Sequence, residues 1–206
     1  MNQILLTLLC MLLGYLLGSI PFALVIGKVF YKTDVRQHGS GNLGGTNTGR
    51  VLGAKAGLSV IVLDILKVVA AIWAASYVST TAALLTGLCC CIGHCYPIFA
   101  HFKGGKAVAT MFGFLLGISI FVFGNGFYFI GPVIMFLAVL YLYKMVSVAS
   151  ITAALCSSIQ LTSMNWNMDS LLLIVGSWAL TALVIYRHRA NIRKVRAGEE
   201  GKITWM

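Results

Sequence analysis

The chain has 206 residues, of which 59% are hydrophobic and only 10% charged, and its formal net charge is +10. Soluble domains carry roughly 25% charged residues, so this balance excludes a soluble globular enzyme and points to a polytopic membrane protein. The length suits one transmembrane domain over residues 1–206 with no separate soluble part, and no nucleic-acid partner is expected.

Apolar runs of spanning length, about 17–25 residues, fall near residues 4–27, 57–78, 82–100, 107–123, 127–143, 146–163 and 171–187. They predict an all-α fold of seven transmembrane helices. The N-terminus lacks a basic region and a small-residue cleavage site, so the first run is expected to be retained. Pro21, Pro97 and Pro132 lie inside runs, where neighbouring helices can tolerate a kink. Gly14/Gly18 and Gly113/Gly117 read as helix-packing faces.

The first connection holds the stretch Gly39–Arg50, with five glycines, two asparagines and almost nothing apolar. Such a segment cannot lie in lipid, because its backbone groups would go unsatisfied. Glycines let successive amides converge into an anion-binding nest, and Arg50 adds a planar charge suited to phosphate. Ser40, Gly41, Asn42, Gly44, Thr46 and Asn47 are the accompanying candidates. Gly39-Ser-Gly-Asn-Leu-Gly44 also matches the dinucleotide fingerprint, but that pattern has meaning only after a strand in a βαβ unit. It is rejected here.

Within the second run, Asp64 and Lys67 stand one helical turn apart. Intramembrane charges default to function. At this spacing they can also neutralise each other, and a structural ion pair is the plainer expectation. Further on come Cys89-Cys90-Cys91, His94 and Cys95. Their spacing fits no zinc pattern, and they read as buried small hydrophobes, so no metal site is expected.

Lys103-Gly104-Gly105-Lys106 opens the fourth run, where free amides at a helix start favour an anion and glycines permit close approach. Ser147 and Ser150 follow Lys144, and His188 and Asn191 share one helical face at the end of the last run. Of the fifteen Lys and Arg residues, only Lys67 lies well inside a run. The others gather in the first, third and fifth connections and the tail, which places the N-terminus outside, the C-terminus in the cytosol and all three polar constellations on the cytosolic face. Their convergence suggests an enzyme acting on an anionic and a lipid-soluble substrate. A transporter of small organic anions is the alternative, although no inverted repeat is evident.

Ser40-Gly-Asn-Leu-Gly-Gly-Thr-Asn47 with Arg50, Gly93-His-Cys-Tyr-Pro97 with Phe102-Lys-Gly-Gly-Lys106-Ala-Val-Ala-Thr110, and His188-Arg-Ala-Asn191 with Gly198-Glu199 resemble the three motifs of the bacterial acyl-phosphate:glycerol-3-phosphate acyltransferases. The resemblance extends over the whole length. It implies a multi-pass protein of the bacterial cytoplasmic (inner) membrane, active as a monomer and without a cofactor. The implied reaction transfers a fatty acyl group from acyl phosphate to the 1-hydroxyl of glycerol 3-phosphate, giving lysophosphatidic acid and inorganic phosphate. By resemblance, Ser40, Arg50 and Lys106 hold phosphate and the reacting carbonyl region, and the Gly104/Gly105 turn cradles phosphate. His188 and Asn191 engage glycerol 3-phosphate, and Glu199 is a structural acid. The proton acceptor is either His188 or the substrate's own phosphate. Gly45 stands where the family usually has alanine, and Ala107 where it usually has glycine.

Overall fold

The computed structural model describes residues 2–203. These form ten α-helices and three short 3-10 turns, with no strand among the described residues. In chain order the helices are α1 (Gln3–Gly18), α2 (Phe22–Phe30), α3 (Gly45–Leu52), α4 (Ala54–Ser76), α5 (Thr80–Cys95), α6 (Val108–Phe121), α7 (Phe127–Tyr143), α8 (Val146–Met164), α9 (Leu171–Arg187) and α10 (Arg189–Arg196).

Each of the seven apolar runs is helical, with one correction. Proline lacks an N–H and its ring clashes with the preceding turn. Pro21 accordingly divides the first run into α1 and α2, and Pro97 stands beyond the end of α5. Only Pro132 lies within a helix. The runs also differ in length. Four stretches are long and apolar enough to cross a bilayer: Gln3–Phe30 across the Pro21 break, Ala54–Ser76, Thr80–Ala100 and Val146–Met164. Joining α9 to α10, which meet at 57°, makes five. Helices α6 and α7 have 14 and 17 residues. At 1.5 Å per residue they reach about 21 and 25 Å against a hydrocarbon core of about 30 Å.

Small residues set the packing, as expected where lipid removes the hydrophobic drive between helices. Gly14 and Gly18 of α1 seat directly on the backbone of Thr86 and Cys90 in α5. Gly113 and Gly117 of α6 abut Ile65, Val68 and Ile72 of α4. Both predicted faces are therefore used. The fully buried Ile72, Met111, Phe114, Leu115 and Ile118 fill the centre. Ser158 and Thr181 join α8 to α9 through a hydroxyl hydrogen bond of 2.7 Å. On the outside, Leu5, Leu12, Phe30, Leu142 and Trp166 are exposed, the apolar belt of a protein surrounded by lipid.

Candidate active site

The first glycine stretch is not a continuous loop. Asp34 caps a 3-10 turn at Val35–Gln37 and pairs with Arg36 at 2.6 Å. The Arg36 hydrogen bond holds the Asp34 carboxyl down at about 2. The chain then folds around Asn47. Its amide nitrogen donates to the Val35 and His38 carbonyls at 3.0 and 3.3 Å, and its oxygen accepts from the Ser40 amide at 2.8 Å. Asn47 is buried and its side chain is fully occupied, so it clamps the loop instead of offering an amide to a ligand.

From Gly45 the stretch becomes α3, with Gly44 as an N-cap that supplies no side-chain hydrogen bond. The first-turn amides of a helix have no intrahelical acceptor, so this end is an open set of donors. Helix α3 crosses α4 closely: a Cβ on Gly57 would stand 2.7 Å from Gly49 Cα and 2.8 Å from the Gly45 oxygen. That contact fixes where the donors point.

The second glycine pair behaves differently. The Gly104 and Gly105 amides donate to the Cys95 and His94 carbonyls at 3.2 and 3.0 Å, closing the turn onto the C-terminal end of α5. A side chain on Gly105 would collide with the His94 ring, and one on Gly104 with the His94 and Cys95 carbonyls. Arg187 takes the outer side, donating to the Gly105 and Gly104 oxygens at 3.0 Å each while its guanidinium lies over Tyr96. Asn42 donates to the same Gly104 oxygen at 3.3 Å, tying the first loop to this one. The glycines thus permit close packing, and their amides are not available to cradle a phosphate.

What the turn presents is Lys106 and the start of α6. Lys106 is partly buried, and burial lowers its pKa below the usual lysine range. Ala107 then adopts φ 62°, a left-handed conformation, and caps α6 without a side-chain hydrogen bond. The usual glycine of the resembling family is the residue this conformation favours, since a Cβ there costs about 1–2 kcal/mol.

A cavity of about 430 Å³ lies between the two helix starts. The α3 end, with Ser40, Asn42, Gly44, Thr46 and Arg50, lines one side, and Lys106, Val108 and Ala109 line another. His188, at the break between α9 and α10, and Asn191 form a third wall, with Ser147 and Ser150 of α8 beside them. His188 is buried, and burial lowers its pKa to about 4. It is therefore neutral, and its Nδ1 lies 2.8 Å from the Val184 oxygen, which leaves Nε2 as an acceptor. Lys106 donates to Asn191, and Asn191 and Ser147 both donate to Glu200 Oε1, at 2.7 and 2.6 Å. The acid holding this wall together is thus Glu200, one residue beyond the expected Glu199, although both border the cavity. Ser150 spends its hydroxyl on the Val146 oxygen.

Lys103 is exposed and, with Gly41, Gly104 and Gly105, does not line the cavity. Sequence reasoning missed the other walls. Ile61, Phe112, Phe136 and Val146 make an apolar side drawn from four helices, and Asp64 and His94 reach the cavity from α4 and α5. Asp64 and Lys67 do form the expected ion pair, at 2.7 Å, but it is a buried pair at the cavity wall and includes His94. The one prior signal for this was the presence of charge inside a span. Cys90, Cys91 and Cys95 are buried in the α4–α5–α6 core.

Fold and cavity define an integral-membrane helical protein whose pocket joins concentrated anion-binding groups to an apolar wall. The chain belongs to the glycerol-3-phosphate acyltransferase family, whose sequence model matches residues 8–198. It is 45% identical over 200 residues to the glycerol-3-phosphate acyltransferase of Geobacillus kaustophilus, covering 97% of each chain. To the Staphylococcus aureus enzyme of the same name it is 43% identical, covering 95% of this chain and 97% of the relative. Its fold matches the crystal structure of PlsY, an integral membrane glycerol 3-phosphate acyltransferase, in the glycerol 3-phosphate form, with a TM-score of 0.87 and 35% identity over 96% of each chain. The lysophosphatidic acid form of PlsY matches with a TM-score of 0.84 and 34% identity. Family membership displaces the anion-transporter alternative.

Proposed function

We propose that this protein transfers a fatty acyl group from acyl phosphate to the 1-hydroxyl of glycerol 3-phosphate, releasing inorganic phosphate and lysophosphatidic acid, the first acylation of phospholipid synthesis. The observation that carries the reading is the meeting of two uncapped helix starts, α3 and α6, with Arg50 and Lys106 at one cavity that also has an apolar wall. Two phosphorylated substrates bring like charges together, and fixed cations with free amides offset that repulsion. The wall of Ile61, Phe112 and Phe136 receives the acyl chain. Arg50, Lys106, Ser40 and the α3 amides hold the donor phosphate and carbonyl, while His188, Asn191 and Ser147 engage glycerol 3-phosphate.

Acyl phosphate is a mixed anhydride, so no enzyme nucleophile is required. The glycerol hydroxyl oxygen attacks the carbonyl carbon while its proton passes to His188 Nε2 or to the substrate's own phosphate, the carbon–oxygen bond to the donor phosphate breaks, and phosphate departs with the electron pair. Donors already aimed at the departing charge lower the barrier without reorganising. A thioester donor would present sulfur to the same phosphate-seeking groups, so acyl-CoA is disfavoured.

In the same reading all seven apolar helices serve as membrane segments of one domain, with the N-terminus outside and the basic connections in the cytosol. The active site then faces the cytosol from the bacterial inner membrane. In this reading the monomer is the active unit. Purified protein given glycerol 3-phosphate with matched acyl phosphate or acyl-CoA tests the reaction. Lysophosphatidic acid from acyl phosphate alone is expected. Equal product from both donors overturns the donor assignment, and product from neither overturns the function.

A further inference from the structure

One face of α10 carries charge for which acyl transfer has no task. Arg189, Arg193 and Arg196 stand at i, i+4 and i+7, so they form a single stripe, and all three are exposed. His188 and Asn191, on the neighbouring face, line the cavity. Like charges at these spacings repel each other along a helix. The negative end of α10 offsets part of this for Arg193 and Arg196, but Arg189 opens the helix, where the positive end disfavours a cation. Among the described residues Asp34 and Asp64 make all of the ion pairs, while Glu200 is bonded to Ser147 and Asn191. No carboxylate among them pairs with the stripe.

Its position in the fold indicates what faces it. Leu171, Val175, Trp178, Ala182 and Tyr186 of α9 are exposed at steps of three or four residues, which makes them the lipid-facing stripe of that helix. This stripe runs directly into Arg189. The Arg189 guanidinium lies 4.4 Å from the Tyr186 ring centroid and donates to the Tyr186 carbonyl at 3.2 Å. At the end of α7, Lys144 covers the exposed Tyr141 in the same way, at 4.5 Å. Tyrosines and cations at helix ends mark the headgroup level of a bilayer. Helix α10 then turns 57° away from α9, so it runs along that boundary more than out of it. An acidic protein approaching from the water would meet a cationic face continuous with the lipid surface. A phosphate group of the leaflet is already at that level, and guanidinium groups bind phosphate oxygens in pairs.

We propose that the Arg189–Arg193–Arg196 stripe binds the phosphate groups of acidic phospholipids in the leaflet beside the cavity. A lipid of net negative charge supplies the counter-charge that the chain lacks there, which a zwitterionic lipid does not. The opposite side of the same helix carries Asn191, which accepts from Lys106 and donates to Glu200. Lipid held on the outer face therefore steadies one wall of the cavity from behind. That consequence for catalysis rests on the acyltransferase reading, whereas the lipid binding does not.

The test compares the parent with Arg193→Gln/Arg196→Gln, which leaves Arg189 on Tyr186 and changes no cavity residue. Lys32→Gln/Lys55→Gln, which removes two exposed cations from the first connection, is the control for charge alone. Each protein is equilibrated in vesicles of equal phosphatidylglycerol and phosphatidylcholine, and its retained lipids are counted by native mass spectrometry. The parent should retain phosphatidylglycerol preferentially, and the α10 variant should lose about tenfold or more of that preference. The control should keep it. Equal retention of the two lipids by the parent, or an equal loss in the control, overturns the proposal. Binding of polyglutamate that needs the stripe, without a preference for phosphatidylglycerol, assigns the face to an acidic protein and overturns it as well. In acyl-transfer assays the parent's kcat should be about threefold or more higher with phosphatidylglycerol than in phosphatidylcholine alone, and the α10 variant should not respond. Equal parental kcat in both vesicles overturns the link to catalysis. A parent protein that makes no lysophosphatidic acid in either vesicle refutes the acyltransferase reading instead, and the lipid count still decides the site.

Discussion

Two glycine-rich segments border the same cavity and use glycine for opposite purposes. At Gly44–Gly45 the chain enters a helix whose first amides have no acceptor, and the small residues let α3 lie against Gly57 so that those donors face the cavity. At Gly104–Gly105 both amides are already bonded to α5, both carbonyls accept from Arg187, and the absent side chains make room for His94. The first segment presents backbone to a ligand. The second is a hinge pin holding Lys106 in place. A glycine pair beside lysines is therefore no proof of a backbone anion nest, because what matters is whether its amides are already spent.

The largest effect separates charge from scaffold. Arg50→Ala and Lys106→Ala should each lower acyl transfer by about 100-fold or more while the protein inserts and unfolds normally. Arg50→Lys should fail almost as badly, because an ammonium lacks the planar fork. Steady-state kinetics alongside thermal unfolding check this, and near-parental turnover by Arg50→Lys would reduce that residue to a topology signal.

The glycines themselves give the next contrast. Gly105→Ala forces a Cβ into the His94 ring and should destabilise the fold by about 1–3 kcal/mol. Gly44→Ala meets only the Asn42 side chain, at 3.0 Å, and should fold well. Comparing unfolding temperatures in detergent tests the pair. Equal destabilisation would erase the distinction between open and packed glycines.

A third test concerns His188 on the wall that both segments face. Its folded pKa of about 4 lies below the unfolded value of about 6.5, so its stabilising contribution is complete above pH 6.5 and is lost as pH falls towards 4. Unfolding temperature should therefore drop more steeply between pH 6.5 and 4.5 in the parent than in His188→Gln. Parallel curves would mean that the imidazole is not held neutral. The Asp34 carboxyl, held at about 2, keeps its stabilising contribution across that window and loses it only below, as pH falls from about 4 towards 2.

The smallest effect is at Ala107. Ala107→Gly removes a strained left-handed alanine and, net of glycine's own entropy cost, should stabilise by about 1 kcal/mol. A rise of roughly 2–4 °C in unfolding temperature is expected for a chain of this size. No rise, or a fall, would show that the turn before Lys106 does not adopt this conformation.

Composition and hydrophobic runs alone determined the class of this protein, its helices and the polar segments that could not lie in lipid, because burying peptide groups in hydrocarbon is too costly for any other arrangement. Gly14/Gly18 and Gly113/Gly117 were legible as packing faces for the same reason. Arg50, Lys106, His188 and Asn191 were legible because charge and amide function are written in the residue itself, and the motif resemblance named the family later matched. Tertiary structure decided the remainder. It alone shows that Asn47 is spent on Val35, His38 and Ser40, that the Gly104 and Gly105 amides are spent on α5, and that Glu200 rather than Glu199 joins Ser147 to Asn191. It alone turns Asp64 from half of an ion pair into a group facing the cavity. Whether a polar group is free depends on what stands opposite it. Here some of those partners stand seven to twelve residues away across a turn, and others, such as Ser147 opposite Glu200, are far away in the chain, and only the folded structure brings them together.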